Sequence, residues 1–282
     1  MNGHTRRSKS KTHQPNMKRR EFLKTSATAT ALTALAHAPL AASAAQGSTA
    51  GREFYELRAY HLKEGASHDL LDSYLEKAAI PALNRAGAKP VGVFNEQEPK
   101  DGEKLWMLIT YPSLDSFSAV TSKVAADPDY LKAGAEYLAL PKDKPGFERI
   151  DSWFLLAFSG LPKMELPSYS RERKSRIFEL RTYESYSEAK ALKKIDMFNS
   201  GEIDVMREVG LGPVFYGQAL IGPNLPHLTY MLSGEDRDAH KKHWGGFGGH
   251  ATWKKMKDDP QYADTVSKIT SRFLAPTAWS QI

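Results

Sequence analysis

The chain of 282 residues contains no cysteine. That excludes disulfides, thiolate metal sites, a cysteine nucleophile and a lipid-modified cysteine anchor. Stability must come from packing alone. No apolar run is long enough for a transmembrane helix, because Thr25 to Leu40 is short and rich in Ala and Thr. An excess of positive charge is also missing from most of the chain. Of 39 Lys/Arg and 33 Asp/Glu, residues 1–44 hold eight and one, so the remainder carries 31 and 32. The formal charge of +6 therefore belongs to the N-terminal stretch and is no argument for nucleic-acid binding. No phosphate loop, nucleophile elbow, metalloprotease helix or spaced acid pair is present.

What is present first is a leader. Lys18-Arg19-Arg20-Glu21-Phe22-Leu23-Lys24 precedes the weakly apolar stretch, and Ala42-Ser43-Ala44 offers a small-x-small cleavage site. The order resembles a bacterial twin-arginine export signal, with Lys18 where Ser or Thr is usual. It implies a passing encounter with the twin-arginine translocase, a periplasmic or otherwise exported mature chain, and no stable membrane anchor. Met17 is a candidate start, since the basic region needs nothing upstream.

The mature chain is organised around a short stretch that occurs twice. Phe54-Tyr55-Glu56-Leu57-Arg58-Ala59-Tyr60 returns as Ile177-Phe178-Glu179-Leu180-Arg181-Thr182-Tyr183, offset by 123 residues. Ile80, Gly87 and Pro90 match Ile203, Gly210 and Pro213 at the same offset. Period-two alternation predicts a strand at each copy, with Glu-x-Arg-x-Tyr on one face. That stripe is either a structural ion pair with an attached phenol or a ligand-binding surface. Copy one reads as a strand at 53–61, a helix at 66–85, strands at 91–97 and 105–111, helices from Ser113 and Asp127, and a strand at 149–158. Copy two reads as a strand at 176–184, a helix at 188–209, strands at 213–220 and 227–232, and a last strand at 272–280. Asp259-Pro260-Gln261-Tyr262 echoes Asp127-Pro128-Asp129-Tyr130 at 132, so nine extra residues precede it.

The fold expected is α+β. Two tandem ferredoxin-like β-α-β-β-α-β repeats would form an intrachain barrel-type pseudodimer. Residues 1–44 would be the signal peptide, 45–160 and 175–282 the two domains, and 161–174 a linker without a fold of its own. The Tyr-Glu-Leu-Arg-x-Tyr opening, the Gly-x-x-Pro/Val approach to the second strand and Asp-Pro-x-Tyr together resemble the NIPSNAP family of the dimeric α+β barrel superfamily. Family members usually carry Trp where this chain has Tyr130 and Tyr262. The resemblance implies two halves packed sheet against sheet and supplies no settled catalytic motif or cofactor.

In that packing the stripes would face the sheet–sheet interior. Glu56, Arg58, Tyr60, Glu179, Arg181 and Tyr183, with Trp106 and Tyr230 on the third strands, then become candidates to bind a small molecule, an anion among them. The second candidate region is His240 to Trp253. It carries His240, His243, Trp244 and His250, with four glycines in five residues at 245–249. Those glycines cost roughly 4 kcal/mol of helix propensity, which predicts a helix–loop–helix. The region is assigned to the nine extra residues of copy two. Its readings are a pocket-shaping loop covering Arg181 and Tyr183, a solvated surface loop, or a metal or haem site on His240, His243 and His250. The functions left open are ligand binding, a cofactor-light oxidoreductase or isomerase, and a protein-interaction module, with homo-oligomerisation compatible with each. Changing Arg19 and Arg20 to Lys should strand precursor in the cytoplasm. Unchanged export in that variant would remove the assignment.

Overall fold

A computed structural model describes Met1 and residues 49–282 except 64, 66 and 173. The stretch expected to be an export signal, with its expected cleavage site, lies outside the described residues.

The first half contains β1 (Phe54–His61), β2 (Val91–Gln97), β3 (Lys104–Tyr111) and β4 (Arg149–Ala157). The second contains β5 (Ile177–Glu184), β6 (Gly212–Ile221), β7 (His227–Gly234) and β8 (Lys268–Pro276). All neighbours pair antiparallel and close into a barrel in the order β1-β3-β2-β8-β5-β7-β6-β4. Each half is a ferredoxin-like sheet, and the halves join through β2–β8 and β4–β6. Closure gives each described strand a partner on both sides, over part of its length at the β2–β8 and β4–β6 seams.

After β1 the chain forms α1 (Asp69–Tyr74), a π turn (Leu75–Ala79) and α2 (Ile80–Ala86). After β3 come α3 (Leu114–Ala125), α4 (Pro128–Ala133) and α5 (Ala135–Leu138). A single turn, α6 (Ser168–Arg171), lies between the halves. The second half repeats the plan with α7 (Glu188–Met197), a π turn (Phe198–Glu202), α8 (Ile203–Glu208), α9 (Arg237–Gly249) and α10 (Ala251–Lys257).

The local chemistry explains why the halves match. Gly87 (φ 98°) and Gly210 (φ 86°) close the first helical stretch of each half in a left-handed conformation that side chains resist. Ser113 caps α3 by accepting from Ser116 N, and Asp236 caps α9 by accepting from Ala239 N. Asp127 caps α4, and Asp259 caps the turn Pro260–Tyr262, each followed by Pro at the first helical position. The Asp-Pro-x-Tyr motif is thus a helix start.

β1, β3 and β7 bury both faces, whereas the first halves of β4 and β8 are largely exposed. Tyr55, Leu57, Ala59, Phe178 and Leu180 point into the barrel, where they pack with Phe94, Leu108, Phe215 and Met231. The alternate residues point out, under the helices. The predicted orientation is therefore reversed. Glu56, Arg58, Tyr60, Glu179, Arg181 and Tyr183 lie on the helix-covered face. Trp106 lies inside the barrel, while Tyr230 lies outside it. Period two separates the faces, but it does not say which is inner when both are covered. The middle of the barrel interior is filled by aromatic and aliphatic side chains.

Two further expectations change. The last strand ends at Pro276, and Thr277 to Gln281 runs beside β2, with Thr277 N donating to Val93 O and Gln281 N to Val91 O. The linker is also structured. Met164 N donates to Glu53 Oε2 at 2.7 Å, and Met164 and Leu166 pack on the interior core.

Candidate functional site

The first-half stripe meets a cavity. Arg58 donates from Nε and Nη2 to both oxygens of Glu56, at 2.6 and 3.0 Å. Tyr111 OH and Ser152 Oγ complete the carboxylate at 2.9 and 3.0 Å. All three partners stand on strands. Burial pushes the Glu56 carboxyl up, but Arg58, Tyr111 and Ser152 outweigh it and hold it below its ordinary range. Above these residues lies a cavity of about 330 Å³ between the sheet and α1–α4. Its walls are largely apolar, with Leu75, Met107, Phe117 and Val124 among them. Its polar edge holds Arg58, Tyr60 and a Tyr74–Tyr130 hydroxyl pair at 2.9 Å. Burial raises the Tyr60 and Tyr74 phenols, which stay neutral.

The second half satisfies the matching carboxylate differently. Glu179 accepts from Arg181 and Ser271 at 2.5 Å each. Its other oxygen lies 2.8 Å from His240 Nε2 and accepts from Trp244 Nε1 at 2.7 Å. His240 and Trp244 stand on α9, so this helix is tied directly to the sheet. The Arg181 guanidinium lies 4.6 Å from the Trp244 ring and donates to Tyr183 OH at 3.2 Å. Tyr230 OH donates to Tyr183 OH at 2.9 Å.

The N-caps Ser113 and Asp236 stand 123 residues apart, so α3 and α9 share the register of the repeat. Thr121 then matches Trp244, Val124 matches Phe247, Met107 matches Tyr230 and Ala79 matches Glu202. At each pair the second half carries the larger side chain. One exchange runs the other way. Tyr111, which bonds Glu56, matches Gly234, and a Cβ on Gly234 would stand 3.1 Å from His240 Nδ1. His240 occupies the space a tyrosine would need.

His240, Trp244, Arg181, Tyr183, Glu179 and Tyr230 are therefore brought together, as are Glu56, Arg58 and Tyr60 in the first half. His243 packs beside Gly210, and His250 Nε2 lies 3.1 Å from Glu208 Oε2. Both are away from Glu179, and the three histidines share no metal position. Among the described residues no three His, Asp or Glu side chains are grouped to hold a metal ion. Trp106 is also elsewhere, donating to Glu96 inside the barrel. The glycine-rich stretch is helical after all, since α9 runs through Gly249. Asp236 caps it, Phe247 and His240 are buried, and Gly245, Gly248 and Gly249 face open space. The nine extra residues fall after Phe247 and contain α10. The cavity residues missed in sequence, Tyr74, Tyr111 and Phe117, carried a signal in the 123-residue register of their counterparts.

One buried pair has no first-half equivalent. Lys194 Nζ donates to Glu202 Oε2 at 2.7 Å, with Lys194 4% and Glu202 1% exposed. The matching residues are Leu71 and Ala79. Burial pushes the Glu202 carboxyl up, and the Lys194 charge pulls it partly back.

The barrel of paired ferredoxin-like sheets, with a Glu–Arg site under the helices of each half, places the protein in the dimeric α+β barrel class, with both halves in one chain. The NIPSNAP family model matches residues 55–158 and 178–281, and the chain belongs to that family. Among solved structures, a protein called a "putative monooxygenase" from Lactobacillus acidophilus NCFM is similar at TM-score 0.53 and 9% identity. The match covers 80% of this chain and 94% of that one. One of the same designation from Fusobacterium nucleatum is similar at TM-score 0.51 and 10% identity, covering 80% and 93%. A NIPSNAP-like domain protein from Burkholderia xenovorans is similar at TM-score 0.34 and 19% identity, covering 37% and 88%. No curated protein matches.

Two outcomes check this geometry. Lys194→Ala should cost about 3 kcal/mol, because it strands a buried carboxylate. Lys194→Leu with Glu202→Ala, the first-half pair, should recover most of that in urea denaturation. A single variant as stable as the double would contradict it. The second outcome concerns Glu179, 3% exposed. Burial pushes its carboxyl up, yet His240, Arg181 and Ser271 bring it down to about 2. A folded pKa below the unfolded value, about 4.3, gives stability that is present above that value. It is lost as pH falls toward 2. Wild type should lose roughly 3 kcal/mol more than Glu179→Gln between pH 5 and 2. Parallel stability–pH curves would contradict it.

Proposed function

We propose that the chain binds a small, largely apolar molecule in the first-half cavity, with a polar end against Arg58, Tyr60 and the Tyr74–Tyr130 pair. The observation that supports this most is the asymmetry between the halves. The same architecture is filled by Trp244, Phe247, Tyr230 and Glu202 in the second half and left open in the first. The expected site thus moves from between the sheets to between sheet and helices. An uncharged polar group fits better than an anion, because Arg58 already has both oxygens of Glu56. Binding is favoured over acid–base catalysis, since Glu56 is paired and the facing phenols are held neutral. The export-like leader supports delivery of the folded barrel out of the cytoplasm, where such a protein would carry or sequester its ligand.

Calorimetric titration with 2-naphthol, an apolar ring bearing one hydroxyl, tests this reading. Thr121→Trp places in the first half the side chain that Trp244 supplies in the second. It should weaken 2-naphthol binding at least tenfold without lowering Tm. Equal affinity in that variant, or no binding to wild type, would contradict the proposal.

A further inference from the structure

A second cavity, of about 280 Å³, opens at one mouth of the barrel, on the inner face of the sheet. Strand pairing builds it in two layers. The outer layer sets His61 beside Lys104 and Arg149, and Glu184 beside His227 and Lys268. The inner layer sets Ala59 beside Trp106 and Asp151, and Thr182 beside Thr229 and Thr270.

The charges in this mouth are matched among themselves. Asp151 takes His61 at 2.8 Å and Arg149 at 3.0 Å, and Glu184 takes Lys268 at 3.1 Å. Asp101 takes Arg272 at 3.0 Å and Lys104 at 3.4 Å. A charged ligand would have to displace one of these partners, whereas a neutral one would not.

Two groups here can meet a ligand. His227 is 2% exposed, and its Nε2 has no hydrogen-bond partner. Its Nδ1 lies 3.2 Å from Thr229 Oγ1, which lies 2.9 Å from Thr182 Oγ1. The result is a short run of hydroxyls ending in an orphaned imidazole nitrogen. The other group is Trp153, half-buried and stacked on Trp106 at 5.9 Å. Its Nε1 donates to Pro223 O at 3.1 Å, and Gly222 approaches so closely that a Cβ there would meet Trp153 Cδ1 at 2.5 Å. The indole is therefore fixed by the β6–β7 hairpin.

We propose that this mouth binds a small neutral polyhydroxylated ring of the monosaccharide class. Its C–H face would lie on Trp153, and its hydroxyls would meet His227, Thr182 and the Asp151–Arg149 pair. A fixed indole offers an apolar face at little entropic cost. Hydroxyls donate and accept, so they use the spare lone pairs of a paired carboxylate and the free imidazole nitrogen together. The volume is at the low end for ligand pockets and suits one ring. The proposal does not depend on the helix-side cavity.

Saturation-transfer difference NMR on the intact chain with D-glucose, D-galactose and D-mannose tests it, with benzoate as the charged comparison. At least one sugar should receive saturation, strongest at its ring C–H protons. Trp153→Ala should reduce its affinity at least tenfold. Thr182→Val, an isosteric change, should weaken it severalfold with Tm unchanged. Silence from all three sugars, benzoate binding in their place, or sugar binding that survives both variants would overturn the proposal.

Discussion

A carboxylate buried between a sheet and its helices must be satisfied, and where its donors stand decides the shape of each half of this barrel. Glu56 draws its donors from β1, β3 and β4, through Arg58, Tyr111 and Ser152. Nothing on α3 is needed to satisfy it, so a cavity fits between that helix and the sheet. Glu179 keeps Arg181 and Ser271 but takes its remaining partners from α9. Removing His240 or Trp244 would leave a buried oxygen short of a donor, which is costly. The helix is thereby pinned to the sheet, and the space beneath it is filled.

The exchange behind this difference is local. Tyr111 gives way to Gly234 in the second half, and His240 replaces the phenol from the helix side. Lys194 and Glu202 then stand where Leu71 and Ala79 stand in the first half, and their ion pair is compensated within the core. The ring cluster of Tyr183, Phe198, Tyr216 and Tyr230 takes up the remaining volume. The two copies thus differ at equivalent positions: larger side chains take up this space in the second half, and the first half keeps a binding-sized void there. Close packing makes each such substitution felt.

Much of the fold was legible in the sequence because its signals are local. The Glu-Leu-Arg-x-Tyr repeat marked β1 and β5, Gly87 and Gly210 marked helix ends, and Asp127 and Asp259 marked helix starts. The orientation of the strands was not legible, since both faces are buried and Glu56 and Arg58 neutralise each other on the outer one. The helicity of the glycine-rich stretch was masked by propensity, which the Asp236 cap and buried Phe247 override. The cavity itself was readable only by carrying the 123-residue register past β7, where Trp244 falls on Thr121. The barrel mouth rests on pairings between Thr182, Thr229 and Thr270, which no local pattern announces.

The central claim is that equivalent positions leave the first half hollow and the second solid. A crystal of residues 45–282 pressurised with xenon tests it most directly, because xenon enters apolar cavities without needing a specific partner. The account predicts xenon density among Leu75, Met107, Phe117 and Val124, and none among Phe198, Tyr230, His240 and Phe247. Xenon in the second site, or in neither, would contradict it.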